Sequence, residues 1–360
     1  MIRATLPDTA ASREMHVRAW RVERTGPIAD GGLRLLDVEE PVAAPDELVV
    51  AVEACAVCRT DLHVVLGELP PRRPAVIPGH QVVGRVVARG AALRSGEGAP
   101  LGARVGVAWL HRTCGRCRAC LGGRENLCPN ADFTGWSVDG GFAERLRVPA
   151  AFAYALDDGA DAVATAPLLC AGIIGYRALR ATGLLDAARA GAGAPPFRLG
   201  ILGFGAAGHL ALQVARARGA EVYVMTRDRP RHQALARELG AAWVGDATAK
   251  PPEELDAAIV FAPAGELVPP ALALLAPAGR LVLGGIAMSP LPALPYALLR
   301  GERRIESVAN NTRADGVAFL AEARAAGVRT HVEVFPLARA AEALARLERD
   351  GVRGAAVLVP

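Results

Sequence analysis

The sequence contains few aromatic residues, a single lysine and only a small excess of positive charge. Aromatic residues make up 4% of the 360 residues, and Lys250 is the only lysine among 41 basic residues. The formal net charge is only +4, and the arginines are interspersed with acidic residues. The chain therefore lacks the continuous basic face that nucleic acids and anionic membranes require, and we expect neither partner.

No run of residues predicts a membrane span or a secretory signal. The most apolar stretch, residues 268–299, is interrupted by Arg280 and by several glycines and prolines, whereas a spanning helix needs about 20 consecutive apolar residues. Residues 1–14 lack the apolar core of a signal peptide and predict a loose leader, or a start codon assigned too early. We therefore expect a cytoplasmic protein. Its 52% hydrophobic and 22% charged residues, over a length sufficient for two domains, indicate a folded enzyme.

The cysteines indicate a metal site. There are seven, and an odd number without a secretory signal argues against a disulfide framework. Four of them follow the pattern C-x2-C-x2-C-x7-C, and four thiolates on one short loop can surround zinc with no open position. Iron–sulfur ligation, a nucleic-acid zinc ribbon and unrelated buried thiols fit this spacing less well. We predict a structural zinc site formed by Cys114, Cys117, Cys120 and Cys128.

A nucleotide-binding unit is indicated between residues 197 and 217. Residues 197–202 form a short apolar segment typical of a buried strand, and residues 209–217 show helical periodicity. Between them, Gly203, Gly205 and Gly208 form G-x-G-x-x-G. Such glycines allow a tight turn and a close approach of the backbone to a pyrophosphate at the helix N-terminus. We predict a Rossmann dinucleotide site rather than a merely structural glycine turn.

The end of the next predicted strand, residues 221–225, indicates which cofactor binds. An NAD-binding unit normally has an acidic residue here, which binds the ribose 2′-hydroxyl. This chain has Thr226 and Arg227 instead, and a guanidinium pairs well with phosphate oxygens. We therefore predict that NADP(H) is preferred, with NAD as the alternative because Asp228 lies close by.

Five segments together resemble the zinc-dependent medium-chain alcohol dehydrogenases over nearly the whole chain. These segments are the glycine motif, the four-cysteine loop, residues 58–63, residues 170–172, and Gly79 with His80. Their order and spacing all match the family. The resemblance implies an α/β fold with two domains and two zinc ions per chain, one catalytic and one structural.

The resemblance also implies how the domains are arranged. A GroES-like catalytic domain of mostly antiparallel strands is expected over residues 1–170 and 310–360, with a structural zinc lobe at about 110–130. A Rossmann domain with a doubly wound parallel sheet is expected to be inserted over residues 171–309. We also expect a homodimer or homotetramer.

The ligands of the catalytic zinc follow from the resemblance, because a lone cysteine or histidine is weak evidence for a metal site. Cys58, His80 and Cys170 are similar to the family's two thiolates and one imidazole, which leave a fourth position open for substrate. The implied activity is hydride transfer between a primary aliphatic or aromatic alcohol, or the aldehyde, and a nicotinamide cofactor. A polyol, amino-alcohol or thiol-adduct dehydrogenase, or a non-catalytic cofactor-binding regulator, is the alternative.

Four residues of the segment 58–63 resemble family residues with assigned roles. Thr60 resembles the hydroxyl that hydrogen-bonds the substrate oxygen, and His63 the imidazole that passes the proton towards solvent. Asp61 resembles the carboxylate that orients the zinc-binding histidine, and Arg59 a residue that contacts the cofactor pyrophosphate. Taken alone, each has a purely structural interpretation, such as a helix cap or a surface charge.

The chain departs from the family pattern at two positions. Gln81 replaces the glutamate that commonly follows the zinc-binding histidine, and Ile174 replaces a threonine near the nicotinamide. Both changes are expected to tune the site without removing a ligand. By analogy with the family, Trp109 and the loop 66–71 line the substrate pocket, and such apolar walls favour aliphatic or aromatic alcohols over charged polyols.

Overall fold

The computed structural model describes residues 16–186 and 195–360. The predicted leader at 1–14 lies outside the described residues. The strands are β1 (His16–Val22), β2 (Leu33–Glu39), β3 (Glu47–Val57), β4 (Gln81–Arg89), β5 (Arg104–Val107), β6 (Leu110–Arg112), β7 (Asp132–Phe133), β8 (Arg145–Pro149), β9 (Ala153–Ala155), β10 (Arg198–Leu202), β11 (Glu221–Met225), β12 (Trp243–Gly245), β13 (Leu255–Val260), β14 (Leu275–Leu283), β15 (Arg304–Ser307), β16 (Val332–Pro336) and β17 (Ala355–Val359).

The helices connect and cover these strands. The α-helices are α1 (Arg59–Leu66), α2 (Arg118–Leu121), α3 (Ala162–Thr165), α4 (Ala171–Ala181), α5 (Ala206–Ala217), α6 (Ala234–Glu238), α7 (Val268–Ala273), α8 (Arg313–Ala325) and α9 (Ala340–Glu348). A π-helical turn, Arg229–Gln233, leads into α6. Short 3-10 turns lie at Ile28–Asp30, Glu125–Leu127, Ala150–Phe152, Ala166–Leu169, Gly265–Leu267, Tyr296–Leu298 and Leu337–Arg339.

A seven-stranded, mostly antiparallel sheet joins the N-terminal part of the chain to its C-terminal end. Its order is β16-β17-β3-β4-β5-β9, and β8 also pairs with β3. Strand β3 is antiparallel to β4, β8 and β17, whereas β16 and β17 are parallel to each other. Most side chains of β3 are buried on both faces, so this strand is the centre of the sheet. The core beside it includes Leu48, Phe142 and Leu146, all fully buried.

The second large sheet has six parallel strands in the order β12-β11-β10-β13-β14-β15. Numbered along the chain, this order is 3-2-1-4-5-6, which is the strand order of the dinucleotide-binding fold. The strand order reverses next to β10, and ligands bind such sheets at this switch point. The predicted Rossmann architecture is confirmed.

The predicted elements of this sheet differ from the observed ones only at their ends. Helix α5 begins at Ala206 rather than at 209, because the last glycine of the motif already lies in its first turn. Helix α7 ends at Ala273, and β14 begins almost directly after it, at Leu275. The pairing of β13 with β14 shifts register there, and Ala278 takes a left-handed conformation with φ 62°.

Helix α4 connects the two sheets and starts directly after Cys170. Gly172 faces α8, where a Cβ atom would lie 2.2 Å from the Phe319 ring. Only glycine therefore allows this helix packing. Asp315 of α8 is fully buried and binds Arg177 of α4 at 2.5 Å and Arg180 at 2.7 Å.

Within residues 16–186 and 195–360, no single helix has the length and apolar composition that a membrane crossing requires. One pair of consecutive helices, Ala162–Leu169 with Ala171–Ala181, meets the length and composition requirements when the two are counted as one segment. The pair is bent by 44°.

Candidate active site

The structure brings Cys58, His80 and Cys170 together from three distant parts of the chain. Cys58 lies between β3 and α1, His80 directly precedes β4, and Cys170 directly precedes α4. Their ligand atoms all lie within 4.8 Å of one another. Gly79 has φ 98°, and a Cβ there would lie 2.4 Å from the Phe142 ring. Glycine is thus required for the turn that delivers the histidine.

Asp61 fixes the orientation of His80. The Nδ1 atom of His80 lies 2.8 Å from Oδ1 of Asp61, and the same carboxylate accepts hydrogen bonds from the backbone N–H groups of Cys58 and Gly79 at 2.8 and 3.0 Å. Asp61 therefore both caps α1 and holds the imidazole. The sequence leaves these two roles as alternatives, whereas in the structure one carboxylate fulfils both.

The three groups fit a zinc ion by their own chemistry. Nε2 of His80 is buried without a hydrogen-bond partner, which is costly unless a ligand takes its lone pair. A hydrogen bond from Cys170 lowers the pKa of Cys58, and the same contact raises the pKa of Cys170. Soft thiolates with one imidazole suit zinc, and the metal would replace the protons of the thiols.

Thr60 and His63 both lie on α1, the helix that begins directly after Cys58. The Thr60 hydroxyl is buried and lies 3.6 Å from Sγ of Cys58. His63 is also buried, and its Nδ1 contacts the carboxylate of Glu68, whose side chain is half exposed. The backbone N–H of Leu69 donates to the His63 carbonyl, which folds the chain back over the helix end.

Glu68 was not singled out from the sequence. Its only signal is an acidic residue directly after Gly67, which ends α1 in a left-handed conformation with φ 82°. A helix ended in this way turns the next residues back towards the last helical turn. That geometry brings Glu68 to His63.

An aromatic wall stands beside the cluster. The Trp109 ring meets the His80 ring edge-on at 4.9 Å and stacks on Phe133 at 5.3 Å and on Trp136 at 5.8 Å. Nε1 of Trp136 donates to the Pro70 carbonyl at 3.1 Å. The loop predicted to line the pocket is thereby attached to the wall.

Gln81 supports the third ligand through its buried amide. Its Nε2 donates to the Ala56 carbonyl, and its Oε1 accepts from the backbone N–H of Ala171, both at 3.3 Å. A glutamate carboxylate could accept but could not donate, so the amide matches these two partners. Gln81 thus links β3 to the residue after Cys170. Ile174 is half-buried one turn further along α4.

The other four cysteines form a second cluster. The sulfur atoms of Cys114, Cys117, Cys120 and Cys128 all lie within 4.8 Å of one another. Backbone N–H groups donate to two of the sulfurs at 3.5 Å, and such bonds stabilise thiolates. Hydrogen bonds from the backbone of Arg116 and Cys117 lower the pKa of Cys114 to about 6, whereas burial raises that of Cys128 to about 11. Cys55, the seventh cysteine, is fully buried in β3, as expected of a core residue.

The cysteine lobe contacts the segment that leads into α8. Glu125 binds the guanidinium of Arg313 with oxygen–nitrogen distances of 2.7 to 3.1 Å. Nδ2 of Asn126 donates to the Ala309 carbonyl at 2.8 Å. Because Arg313 is the first residue of α8 and Ala309 lies just before it, the lobe supports the start of that helix.

The glycine turn between β10 and α5 is shaped for a ligand. A Cβ on Gly203, which has φ 91°, would lie 2.8 Å from the backbone nitrogen of Ala262, and one on Gly208 would lie 2.8 Å from the Gly203 carbonyl. Both are required by packing. Gly205, in contrast, has no atom within 4 Å of such a Cβ, so it borders open space at the N-terminus of α5.

The residues after β11 differ in what they bind. The backbone of Thr226 donates to the Gly245 carbonyl at 3.0 Å, and the Arg227 side chain is 85% exposed. Asp228 has φ 65° and accepts hydrogen bonds from the backbone N–H and Nε of Arg231 at 3.1 and 2.5 Å. Burial opposes ionisation of Asp228, but these bonds outweigh it and lower its pKa.

Arg59, at the start of α1, reaches across to the C-terminal part of the chain. Its guanidinium lies 3.4 Å from the Leu347 carbonyl and pairs with Asp350. The Asp350 carboxylate also lies 3.8 Å from Nη2 of Arg227. The two arginines predicted to contact the cofactor therefore share one carboxylate partner.

Comparisons with known proteins agree with this geometry. The family described as "Alcohol dehydrogenase GroES-like domain" matches residues 44–158, and the family described as "Zinc-binding dehydrogenase" matches residues 206–325. The "Probable alcohol dehydrogenase AdhA" of Mycobacterium tuberculosis is 49% identical over 95% of this chain and 96% of its own length. An alcohol dehydrogenase of Geobacillus stearothermophilus is 34% identical over 91% and 95%.

Solved structures show the same architecture. A cinnamyl alcohol dehydrogenase from Sorghum bicolor is 30% identical and superposes with a TM-score of 0.82, covering 96% of this chain and 98% of its own. A protein from Sinorhizobium meliloti, described as a zinc-binding dehydrogenase and solved bound to NADP, is 27% identical with a TM-score of 0.81, covering 96% and 100%. A GroES-like domain and a Rossmann-type domain are thus both present.

Proposed function

The chain belongs to the zinc-dependent medium-chain alcohol dehydrogenase family, and from this premise we propose its substrate class, cofactor preference and residue roles. It is an NAD(P)-dependent oxidoreductase that acts on alcohols. We propose that the alcohols are primary, with an aliphatic or aromatic substituent. The observation that carries this proposal is the stack of Trp109, Phe133 and Trp136 next to His80, because a flat apolar wall binds such substituents and excludes water.

In this proposal, Cys58, His80 and Cys170 hold the catalytic zinc, and Cys114, Cys117, Cys120 and Cys128 hold the structural zinc. The catalytic ion, when bound, supplies a Lewis acid that polarises the substrate oxygen. Asp61 accepts the hydrogen bond of the His80 Nδ1–H group, which fixes the tautomer and the plane of the ring and leaves Nε2 facing the metal position. Three protein ligands leave one of the four coordination positions of zinc open for substrate, whereas four protein ligands fill them all.

We assign proton transfer to Thr60, His63 and Glu68. The Thr60 hydroxyl can accept the alcohol proton while donating its own, because a hydroxyl both donates and accepts. His63 is buried and therefore needs a partner that reaches water. Its Nδ1 contacts the Glu68 carboxylate, which is half exposed, so the proton leaves the protein there.

The preference for NADP(H) is supported by the residues after β11. Asp228 is already engaged by Arg231 and is therefore a poor acceptor for a ribose 2′-hydroxyl. Arg227 is exposed and can pair with a 2′-phosphate, with Thr226 beside it. The open space at Gly205 suits the pyrophosphate, at the N-terminus of the 12-residue helix α5.

The domain boundaries, assembly and location are also proposals. We assign residues 1–170 and 310–360 to the catalytic domain and residues 171–309 to the cofactor domain, since the strands of the two sheets divide in this way. We propose a homodimer or homotetramer formed through the cofactor domain. Three apolar side chains exposed near its edge support that surface: Ile286, Leu291 and Tyr296. A cytoplasmic location suits the seven unpaired cysteines.

The direct test is the initial rate of reduction of aliphatic, aromatic and polyhydroxylated aldehydes by zinc-replete protein, with NADPH and NADH run side by side. The proposal predicts the highest kcat/KM for an aromatic or aliphatic aldehyde with NADPH. A preference for NADH would contradict the cofactor assignment alone. A preference for polyhydroxylated substrates would contradict the role of the aromatic wall.

A further inference from the structure

One carboxylate joins two arginines that come from different domains. Asp350 follows α9, and its two oxygens face Nη2 of Arg59 and Nη2 of Arg227. Arg59 begins α1, next to the metal cluster, and Arg227 follows β11 of the parallel sheet. The carboxylate therefore bridges the two proposed domains, between the two guanidinium groups proposed to bind cofactor phosphates.

The contact is poorly suited to stabilising the fold. The side chains of Arg59, Asp350 and Arg227 are 34%, 50% and 85% exposed, and ion pairs at such exposure add little to stability. Asp350 has φ 53° because it ends α9: its N–H and that of Gly351 donate to the Leu347 and Arg346 carbonyls at 3.1 and 2.8 Å. The backbone contacts thus account for the position of Asp350, and the ion pairs with the two arginines add little to the fold.

Further positive charge surrounds the same turn. A Cβ on Gly351, the next residue, would lie 3.8 Å from Nη1 of Arg231. Burial lowers the pKa of His232, and the negative charges of Asp228 and Asp350 oppose that shift. Asp228 pairs with Arg231. Asp350 is the carboxylate that contacts both Arg59 and Arg227. The Asp350 carboxylate therefore pairs with the same positive groups that would bind a nucleotide phosphate.

We propose that Asp350 is a specificity-determining residue that competes with the cofactor's phosphates for Arg59 and Arg227. This inference rests on the cofactor site proposed above. Binding of the nucleotide must displace the carboxylate or tolerate its charge, so Asp350 weakens the binding of both cofactors. The effect is larger for NADPH, because its 2′-phosphate needs Arg227 in addition to the pyrophosphate contact at Arg59.

The test is the dissociation constant of NADPH and NADH for zinc-replete Asp350→Asn, measured by nucleotide fluorescence at low salt. Asparagine has the same shape and tolerates the left-handed conformation well, so the fold should be retained. We expect about fivefold tighter binding of NADPH and at most about twofold tighter binding of NADH, as for removal of one exposed competing charge. The gain should shrink at high salt.

The matched control is Asp157→Asn, which removes the carboxylate of another exposed pair, the one with Arg324. It should leave both dissociation constants unchanged. If Asp350→Asn leaves NADPH binding unchanged or weakens it, the inference is wrong, because Asp350 would then be irrelevant to the arginines or would help to position them.

A second variant separates this inference from the cofactor assignment. Arg227→Ala should weaken NADPH binding and leave NADH binding nearly unchanged. If Arg227→Ala has no effect on NADPH, the cofactor assignment itself fails. If it weakens NADPH binding while Asp350→Asn has no effect, only the competition by Asp350 is excluded.

Discussion

The two cysteine-containing clusters offer similar ligand atoms, but one is assembled from distant segments and the other from a single loop. The cluster of Cys58, His80 and Cys170 draws its ligand atoms from three distant segments, and the imidazole is fully buried. The four-cysteine cluster comes from one short segment, with three of its residues only half-buried. In the proposed assignment, the first cluster is created by the tertiary fold and leaves a coordination position free, whereas the second organises its own loop and leaves none.

Removing a ligand should therefore have opposite consequences in the two clusters. We expect the fold around the first cluster to persist without the metal, because β3, β4 and α4 are held by their own packing. In the second cluster, the proposed metal would hold a loop that has little buried apolar surface.

The largest effect is expected for Cys170→Ser. It removes a soft ligand of the three-ligand cluster, so we expect kcat to fall by roughly 10³-fold or more while the fold is retained. Steady-state kinetics, zinc analysis and thermal unfolding check this. Cys55→Ala, which removes a buried thiol outside both clusters, is the control and should keep both zinc ions. Turnover of Cys170→Ser close to wild type would remove the ligand assignment.

The second effect is expected for Cys117→Ser. This thiol accepts the backbone N–H of Cys120 at the start of α2 and belongs to the four-ligand cluster. We expect a loss of about 3 kcal/mol in the free energy of unfolding, or roughly 10 °C in Tm, because metal binding here contributes to folding. Zinc content should fall from two ions to one. Unchanged Tm and zinc content would show that the cluster is not a structural metal site.

A smaller effect is expected for Asp61→Asn, which keeps the shape of the side chain but removes its charge. The amide can no longer accept at both oxygens, so the orientation of His80 is lost in part. We expect kcat/KM and zinc affinity at this site to fall by about 10- to 100-fold, with the second zinc unaffected. Equal loss of both zinc ions would argue for general destabilisation instead.

The smallest effect is expected for Glu68→Gln. The amide cannot carry a proton away from His63, but water can partly replace it because this edge is exposed. We expect kcat to fall by roughly tenfold at most, with a changed pH profile and partial rescue by added imidazole buffer. An unchanged pH profile without rescue would exclude Glu68 from the proton route. Glu97→Gln, which changes an exposed glutamate on another loop, serves as the control.

The sequence predicts the features whose signals are local. The four-cysteine loop and the glycine motif lie within short segments, and their spacing alone indicates the chemistry. The grouping of Cys58, His80 and Cys170 depends on tertiary structure, and the sequence indicated it only through the family resemblance. The doubly wound parallel sheet is likewise indicated by the glycine motif and the resemblance, whereas the strand order 3-2-1-4-5-6 is known only from the structure.

Other features could not be predicted because they depend on contacts between distant segments. Glu68 becomes meaningful only when the chain folds back over α1 to reach His63. The role of Gln81 depends on two backbone partners, at Ala56 and Ala171, that only the folded sheet brings together. Asp350 lies almost 300 positions after Arg59, and no spacing rule connects them.

The central claim is that one chain holds two zinc ions of different construction. The most direct measurement is an anomalous-difference map, collected at the zinc absorption edge from crystals of the purified protein. We predict two peaks per chain, one bound by Cys58, His80 and Cys170 with no fourth protein ligand, and one bound by Cys114, Cys117, Cys120 and Cys128. A single peak, or a fourth protein side chain closing the first site, would contradict the account.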